Sequence, residues 1–135
     1  MFRPQIFHQV VLEMKSAFAL PTEATEGFKD AGHYDAHRPT YPVEAVDDLL
    51  KNVKVSGQPH QNIVEIGSGT GKFTELLAGR AESYNVIAVE PHALMREQLV
   101  AKNLRNVKVV EGHASKTPVS DEWGDCVIAA QAFHW

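Results

Sequence analysis

The sequence is poor in cysteine, in long apolar runs and in clustered positive charge, and each shortage excludes a class of protein. Its single cysteine, Cys126, permits neither an internal disulfide nor a zinc knuckle and fits a reducing compartment. No stretch approaches the roughly 18 apolar residues that span a bilayer, which argues against a membrane protein. The 13 lysines and arginines are scattered over a chain of net charge -4, so a nucleic-acid partner is disfavoured. A cytoplasmic location is the simplest expectation.

The composition is that of an ordinary globular domain. Of the 135 residues, 44% are hydrophobic and 22% charged, which is enough apolar surface for one core. Residues 1–20 are expected to form an amphipathic helix, because apolar side chains recur there at helical spacing. Residues 21–41 are polar and irregular. We therefore divide the sequence into an N-terminal helix or arm that includes a lid segment, residues 1–41, and a main domain, residues 42–135.

From residue 42 onward, helices and strands alternate. Pro42 opens a helix, whose apolar face is formed by Val43, Val46, Leu49, Leu50 and Val53. Apolar strands are predicted at 62–66, 86–90, 107–110 and 125–130, and helices at 71–81 and 91–104. The inward faces of these two helices are expected to carry Phe73, Leu76 and Leu77, and Leu94, Met95 and Leu99. Apolar strands joined by crossovers of about 15–20 residues indicate an α/β domain with a parallel sheet and helices on both faces.

A glycine-rich loop, Gly67-Ser68-Gly69-Thr70-Gly71, joins the first of these strands to its helix. Gly67 permits a tight turn, Gly69 a close approach of the backbone to a ligand, and Gly71 close packing of the helix on the sheet. A purely structural turn is the alternative, but the strand–turn–helix context favours a nucleotide-type site. The G-x-G-x-G spacing is one residue tighter than the dinucleotide fingerprint. Glu65, just before the loop, suits a cationic ligand better than a pyrophosphate.

Glu90 closes the second predicted strand. A carboxylate there can accept hydrogen bonds from both ribose hydroxyls of an adenosine, or it can be an acid favoured by the dipole of the next helix. The segment 111–114, Glu-Gly-His-Ala, follows the third strand and suits either the edge of an adenine ring or a plain loop. The residues alone therefore indicate an adenosine-containing cofactor that is cationic rather than rich in phosphate.

Four segments together resemble the cofactor motifs of class I S-adenosylmethionine-dependent methyltransferases. They are VEIGSGTGKFTELLA, VIAVEPHALM, VKVVEGHA and DCVIAAQAFHW, in the order that the family shows. The preceding YDAHRPTYP is similar to the entry segment of the small-molecule branch, which includes trans-aconitate and ubiquinone-biosynthesis methyltransferase-like enzymes. The resemblance covers about residues 28–135. It implies a Rossmann-like fold, S-adenosyl-L-methionine as cofactor and a small molecule as methyl acceptor.

The resemblance also implies a role for each matching position. Glu65, Gly67 and Gly69 would hold the methionine part of the cofactor, and Glu90 would bind the ribose. Arg38 would pair with the cofactor carboxylate, although an ordinary surface arginine is an equal alternative. The implied cofactor-binding set is Tyr34, Arg38, Glu65, Gly67, Ser68, Gly69, Glu90, Pro91, His92, Met95, His113, Ala114 and Gln131.

Within that set, three sub-sites are implied. Met95 or His92 would flank the adenine on one side, and His113 with Ala114 would contact it from the other. Gln131 would lie near the methionine end, where the methyl group is transferred. No catalytic base is assigned, because His134 is explained better by packing beside its aromatic neighbours.

The family sheet has the strand order 3-2-1-4-5-7-6, and this sequence supplies the first four strands, expected in the order 3-2-1-4. The chain is thus expected to be truncated after the fourth strand, whose unpaired apolar edge would favour self-association. The expected function is the cofactor-binding half of a small-molecule methyltransferase. The alternatives are a non-catalytic truncated protein or regulatory partner of a full-length enzyme, and a nicotinamide-dependent oxidoreductase, which the glycine spacing and Glu65 disfavour.

Overall fold

The structure, a computed structural model, describes residues 9–12 and 41–130. Within these residues the chain forms five strands and three helices, and we number them in chain order. They are β1 (Gln9–Leu12), α1 (Val43–Asn52), β2 (Asn62–Ile66), α2 (Lys72–Ala78), β3 (Asn85–Val89), α3 (Ala93–Ala101), β4 (Val107–Val110) and β5 (Cys126–Ala130). The strand–helix alternation predicted from residue 42 onward is thereby confirmed, and the bounds of β2 and β4 are those predicted.

All five strands pair in parallel, in the order β1-β5-β2-β3-β4. The chain adds β3 and β4 on one side of β2 and then returns to place β5 on the other side. The predicted order of the four strands after residue 42 is confirmed. Because the direction of strand addition reverses between β2 and β5, a crevice is expected outside the carboxyl ends of these two strands.

The outer edge of β5 is not free, because β1 pairs with it along residues 127–130. Two predictions are therefore wrong, namely that residues 9–12 belong to a helix and that this edge is unpaired. The β-branched pair Val10-Val11 suits a strand as well as its spacing suits a helix. Pairing with β5 also satisfies backbone groups that an apolar edge strand would leave open. The rest of the predicted N-terminal helix lies outside the described residues.

Alternation along the strands divides the buried side chains between two faces of the sheet. The larger core lies under α1 and α2 and includes Tyr41, whose ring meets that of Phe73 edge-on at 5.2 Å. The strand residues of this core are Ile63, Val86, Cys126, Ile128 and Ala130. The smaller core, on the opposite face, contains Val64, Ile66, Val89 and Ala129, with Val119 and Trp123 packed against it from the segment before β5.

The helices are shorter than predicted, and their faces correct two residue assignments. Phe73, Leu77, Met95 and Leu99 are buried as expected. Leu94, however, is 39% exposed, because the buried stripe of α3 follows the four-residue step from Met95 to Leu99 and excludes its neighbour. Val43, in the first turn of α1, is also exposed. None of the described helices has the length and apolar character that crossing a bilayer requires.

Candidate functional site

The candidate site lies at the carboxyl ends of the parallel strands, where the segments singled out from the sequence meet. The glycine loop, residues 67–71, follows β2, Glu90 follows β3, and residues 111–114 follow β4. Because the strands are parallel, these three segments emerge at the same edge of the sheet. The end of β5 at Ala130 completes that edge on the far side of β2.

The glycine loop owes its shape to backbone conformations that other residues rarely adopt. Gly67, Gly69 and Gly71 have φ values of 68°, 58° and 93°. The backbone N–H groups of Gly67 and Ser68 both donate to the carbonyl of Val89, at 2.8 and 3.1 Å. The loop is thus turned back from β2 and tied to the end of the neighbouring strand.

Two glycines of the loop have different surroundings. A Cβ atom built on Gly69 meets no atom within 4 Å, so this backbone faces open space. A Cβ atom on Gly71 would overlap the side chain of Leu99 on α3. Close packing at Gly71 was predicted, but its partner is the next helix and not the sheet. Gly69 therefore leaves room for a ligand, whereas Gly71 lets two helices approach each other.

Glu90 joins the glycine loop to the start of α3. Its Oε2 accepts a hydrogen bond from the backbone N–H of Gly69 at 2.8 Å, and its Oε1 accepts one from that of His92 at 3.0 Å. The side chain is mostly buried, with 7% of the residue exposed. Each carboxylate oxygen offers two acceptor positions, so hydroxyl groups of a ligand can still bind there. The Glu90 carboxylate can therefore bind hydroxyl groups of a ligand and also accept a backbone N–H group at the start of α3, so the two alternatives considered from the sequence are compatible.

Arg96 supports Glu90, and sequence reasoning missed it. Its Nη1 donates to the backbone carbonyls of Glu90 at 3.0 Å and of Pro91 at 2.6 Å. Its Nη2 lies 3.7 Å from a carboxylate oxygen of Glu111, on the segment after β4. Arg96 thus connects the turns that follow β3 and β4. No motif marks this arginine, since its partners are mainly backbone atoms.

Glu65 does not face the open side of the site. It is 1% exposed, and its Oε2 accepts a hydrogen bond from the hydroxyl of Thr74 on α2 at 2.5 Å. Burial raises the pKa of Glu65 to about 8, against the opposing effect of the Thr74 hydrogen bond and with a further increase from Glu90. Thr74 was also missed from the sequence. A polar residue in the apolar stripe formed by Phe73 and Leu77 was the available signal.

The residues predicted to flank the adenine differ in how far they are exposed to solvent. Met95 is 3% exposed and belongs to the core, whereas His92 is half-buried and Pro91 is exposed. The other expected side of the adenine, His113 and Ala114, is exposed.

A short bridge shapes the loop after β4. The backbone of His113 pairs with that of Lys116, and the His113 Nδ1 lies 2.8 Å from the Ser115 hydroxyl. A Cβ atom on Gly112 would lie 3.0 Å from side-chain atoms of both Val89 and Pro118, so glycine fits here without displacing either neighbour. Tyr34, Arg38, Gln131 and His134 lie outside the described residues, and their roles stay predictions.

The fold and the site together define a class. A parallel sheet with a strand-order reversal, a glycine loop after the first strand of the main domain and an acid after the second are typical of Rossmann-like cofactor-binding domains. The solved DhpI–SAM–HEP complex has this fold. It aligns with a TM-score of 0.57 and 24% identity, over 79% of this chain and 48% of that chain.

Sequence comparison narrows the class to a family. A family model described as "Methyltransferase domain" matches residues 64–135. An uncharacterised methyltransferase of Mycobacterium tuberculosis is 36% identical over 104 residues, which cover 77% of this chain and 39% of that protein. A Saccharomyces cerevisiae protein, described as a probable S-adenosylmethionine-dependent methyltransferase, is 30% identical over 116 residues, covering 78% and 37%.

The chain belongs to the methyltransferase domain family, in the class I, S-adenosylmethionine-dependent group. The family predicted from the sequence motifs is therefore confirmed. The chain spans about two fifths of the length of the curated relatives that it matches.

Proposed function

We propose that this chain forms the S-adenosylmethionine-binding part of a methyltransferase that acts on a small molecule. The observation that carries the proposal is the Glu90 carboxylate, which holds the N–H of Gly69 at 2.8 Å beside a loop that faces open space. In this arrangement the backbone of the glycine loop can bind one end of a ligand. The adjacent Glu90 carboxylate can bind hydroxyl groups at the other end of the ligand.

The charges of the site support this cofactor over a dinucleotide. Glu90 lies beside the glycine loop, where its Oε2 accepts the backbone N–H of Gly69. A pyrophosphate bound at the loop would add negative charge beside the Glu90 carboxylate, and the cost rises in a partly buried site. S-adenosylmethionine carries a sulfonium and an ammonium instead of phosphates, so its charge is complementary to this surrounding.

We assign the binding roles as follows. The backbone of Gly67, Ser68 and Gly69 binds the methionine part, and Glu90 accepts hydrogen bonds from the ribose hydroxyls. The adenine lies between the start of α3 and the loop after β4. The residues proposed for the adenine are Pro91, His92, Met95, His113 and Ala114, with Met95 as part of the buried floor.

Tyr34, Arg38 and Gln131 are proposed to complete the site around the methionine part. They correspond to the family positions identified in the sequence, and they extend the site beyond the described residues. We place the protein in the cytoplasm, where the buried free thiol of Cys126 would stay reduced.

The bound cofactor would supply a methyl group that is already activated by its positive sulfur. The chain itself then has to hold that cofactor in one orientation and keep water from the reacting end, and such positioning can supply much of a rate enhancement. The glycine loop and Glu90 contribute to the first of these tasks, because they are held in place by hydrogen bonds. We assign no general base. A small acceptor is favoured over nucleic acid because the basic residues are dispersed in a chain of net charge -4.

Isothermal titration of the full chain with S-adenosylhomocysteine, S-adenosylmethionine and NAD tests the proposal. We expect saturable binding of the two adenosyl ligands and no measurable heat with NAD. Tighter binding of NAD would instead support a nicotinamide-dependent oxidoreductase. A folded chain that binds none of the three would contradict the proposed cofactor site.

A further inference from the structure

The two acids near the glycine loop differ in what their carboxyl groups contact. Glu90 accepts backbone N–H groups from the loop and from the start of α3, at the edge of the sheet. Glu65 is 1% exposed, and its hydrogen-bond partner is the hydroxyl of Thr74, which is itself fully buried. The direct ligand contact that the family resemblance implies for Glu65 is therefore not open to this side chain.

The position of Glu65 in the sheet explains its isolation from the cleft. It lies on β2, with Ala88 of β3 and Ile128 of β5 as its partners in register. Thr74 contacts it from α2, which covers the same face of the sheet. The hydrogen bond thus joins the strand just before the glycine loop to the helix just after it. The glycine loop, residues 67–71, is therefore flanked on both sides by residues that this hydrogen bond connects.

The charges around Glu65 favour a neutral carboxylic acid. Its hydrogen-bond partner on α2 is Thr74, and its partners in register on β3 and β5 are Ala88 and Ile128; all three are uncharged. Among the described residues, Glu90 is the charged group whose field acts on Glu65, and its sign is negative. Burial, with a further increase from Glu90, raises the pKa of Glu65 to about 8 against the effect of the Thr74 hydrogen bond, so the acid is mostly protonated at neutral pH.

We propose that Glu65 is a positioning residue, which holds the glycine loop in its binding shape as a neutral acid hydrogen-bonded to Thr74 and does not touch the ligand. The ligand part of this inference rests on the proposed function. When Glu65 ionises, a negative charge develops in the core beside Glu90, and the surroundings must open to hydrate it. The loop is therefore expected to change shape as the pH rises through about 8.

The first experiment needs no ligand. In ¹H–¹⁵N NMR spectra of the full chain, the amide signals of Gly67, Gly69 and Gly71 should titrate with a midpoint near pH 8. Glu65→Gln, which copies the shape of the neutral acid, should remove this titration. Glu97→Gln, an exposed change on α3, should leave it in place. Loop signals that do not titrate in the unaltered chain, or that titrate equally in Glu65→Gln, would overturn the proposal.

The second experiment uses S-adenosylhomocysteine. At pH 7, Glu65→Gln should bind it within about twofold of the unaltered chain, because the neutral amide keeps an acceptor for Thr74. Thr74→Val should bind it roughly tenfold more weakly, the scale of one lost hydrogen bond, and Thr74→Ser should restore the affinity. As the pH rises from 7 to 9, affinity should fall more steeply in the unaltered chain than in Glu65→Gln.

The results separate the two proposals. A tenfold or larger loss in folded Glu65→Gln would mean that the carboxylate contacts the ligand, and the positioning role would be wrong. Normal affinity in Thr74→Val would also contradict it. If the unaltered chain does not bind S-adenosylhomocysteine, the proposed function fails, while the amide titration still decides whether Glu65 controls the loop.

Discussion

The two ends of the sheet use their polar groups in different ways. At the amino-terminal ends of the strands, polar groups are bonded to fixed partners of the chain. The backbone N–H of Asn62 donates to the Asp125 carboxylate at 2.8 Å, and the Asn62 amide donates to the carbonyl of Trp123 at 3.1 Å. Asn85 joins the same group through the side-chain oxygen of Asn62, at 3.1 Å. At this end of the sheet, these polar groups are therefore hydrogen-bonded to other residues of the chain.

An ion-pair cluster extends this closed end towards α1. Arg80, in the turn after α2, pairs with Asp47 on α1 and with Glu82, whose carboxylate also accepts the backbone N–H of Gly57 at 3.1 Å. The hydrogen bond from Arg80 lowers the pKa of Glu82 to about 2. The cluster links three segments of the chain.

The carboxyl-terminal end has the opposite character. Its loop depends on three glycines with positive φ, one of which faces open space. Glu90 holds backbone N–H groups there and retains acceptor positions on its oxygens. One end of the sheet therefore secures the fold, whereas the other end leaves polar groups available for a ligand.

The two ends should respond to pH in opposite directions. The pKa of Glu65 in the folded chain is raised from 4.5 to about 8, so the contribution of Glu65 to the free energy of unfolding is fully present below pH 4.5 and is lost as the pH rises to about 8. At about 1.4 kcal/mol per unit of pKa difference, the full effect is roughly 4–5 kcal/mol. Urea unfolding at several pH values should show this decline in the unaltered chain and a flatter profile in Glu65→Gln.

Glu82 has the reverse sign. Its pKa in the folded chain is lowered from 4.5 to about 2, so its contribution is present above pH 4.5 and is lost as the pH falls towards 2. Glu82→Gln should therefore flatten only the acid side of the profile, and Glu65→Gln only the side above pH 4.5. Parallel profiles for the unaltered chain and Glu65→Gln would contradict the burial of a neutral acid.

Gly71→Ala should destabilise the fold by about 2–4 kcal/mol, because overpacking against Leu99 adds to the cost of a left-handed backbone. Gly57→Ala is the matched control, since Gly57 also has a positive φ, of 72°, but no atom lies within 4 Å of its added Cβ. Chemical denaturation of both variants should give the larger loss for Gly71→Ala. Equal losses would show that Leu99 yields freely and that the two helices are not closely packed there.

Gly69→Val should weaken S-adenosylhomocysteine binding beyond detection by titration, because its side chain would enter the space that the proposed ligand occupies. Gly69→Ala is the milder test, with roughly a tenfold loss, equivalent to about 1.4 kcal/mol. The stability of Gly69→Ala should match that of Gly57→Ala, since both added Cβ atoms face open space. Normal affinity in either Gly69 variant would mean that the loop is only structural.

The smallest effect is expected at the ion-pair cluster. Asp47 is partly exposed, and pairs of this kind contribute about 0.2–1 kcal/mol. Asp47→Asn should lower the free energy of unfolding by less than about 1 kcal/mol and leave ligand affinity unchanged. A change in S-adenosylhomocysteine affinity would show that the two ends of the sheet are coupled.

The sequence was sufficient for the parts of the fold that local patterns determine. Apolar runs located β2 and β4 at their observed bounds, and the glycine spacing together with Glu90 located the loop and acid that meet at one edge. The strand β1 was missed because its four residues have a spacing that also suits a helix. Its partner β5 is remote in sequence, and no local pattern records such a pairing.

The contacts that support the site were harder to infer. Arg96 binds carbonyl groups of Glu90 and Pro91, and backbone acceptors leave no sequence signature. Glu65 was predicted from the sequence to hold the methionine part of the cofactor. Its direction, however, depends on the alternation of side chains along β2 and on the helix that covers that face, so its bond to Thr74 required the three-dimensional arrangement.

The Glu90 carboxylate is our proposed ligand-binding acid at the open end of the sheet. Titration of S-adenosylhomocysteine into Glu90→Ala and into the matched control Glu97→Ala tests it most directly. A hydrogen bond to a charged group contributes about 1.5–3 kcal/mol, so we predict a loss of roughly tenfold or more for Glu90→Ala and none for Glu97→Ala. Unchanged affinity in a Glu90→Ala variant that melts like the unaltered chain would contradict the account.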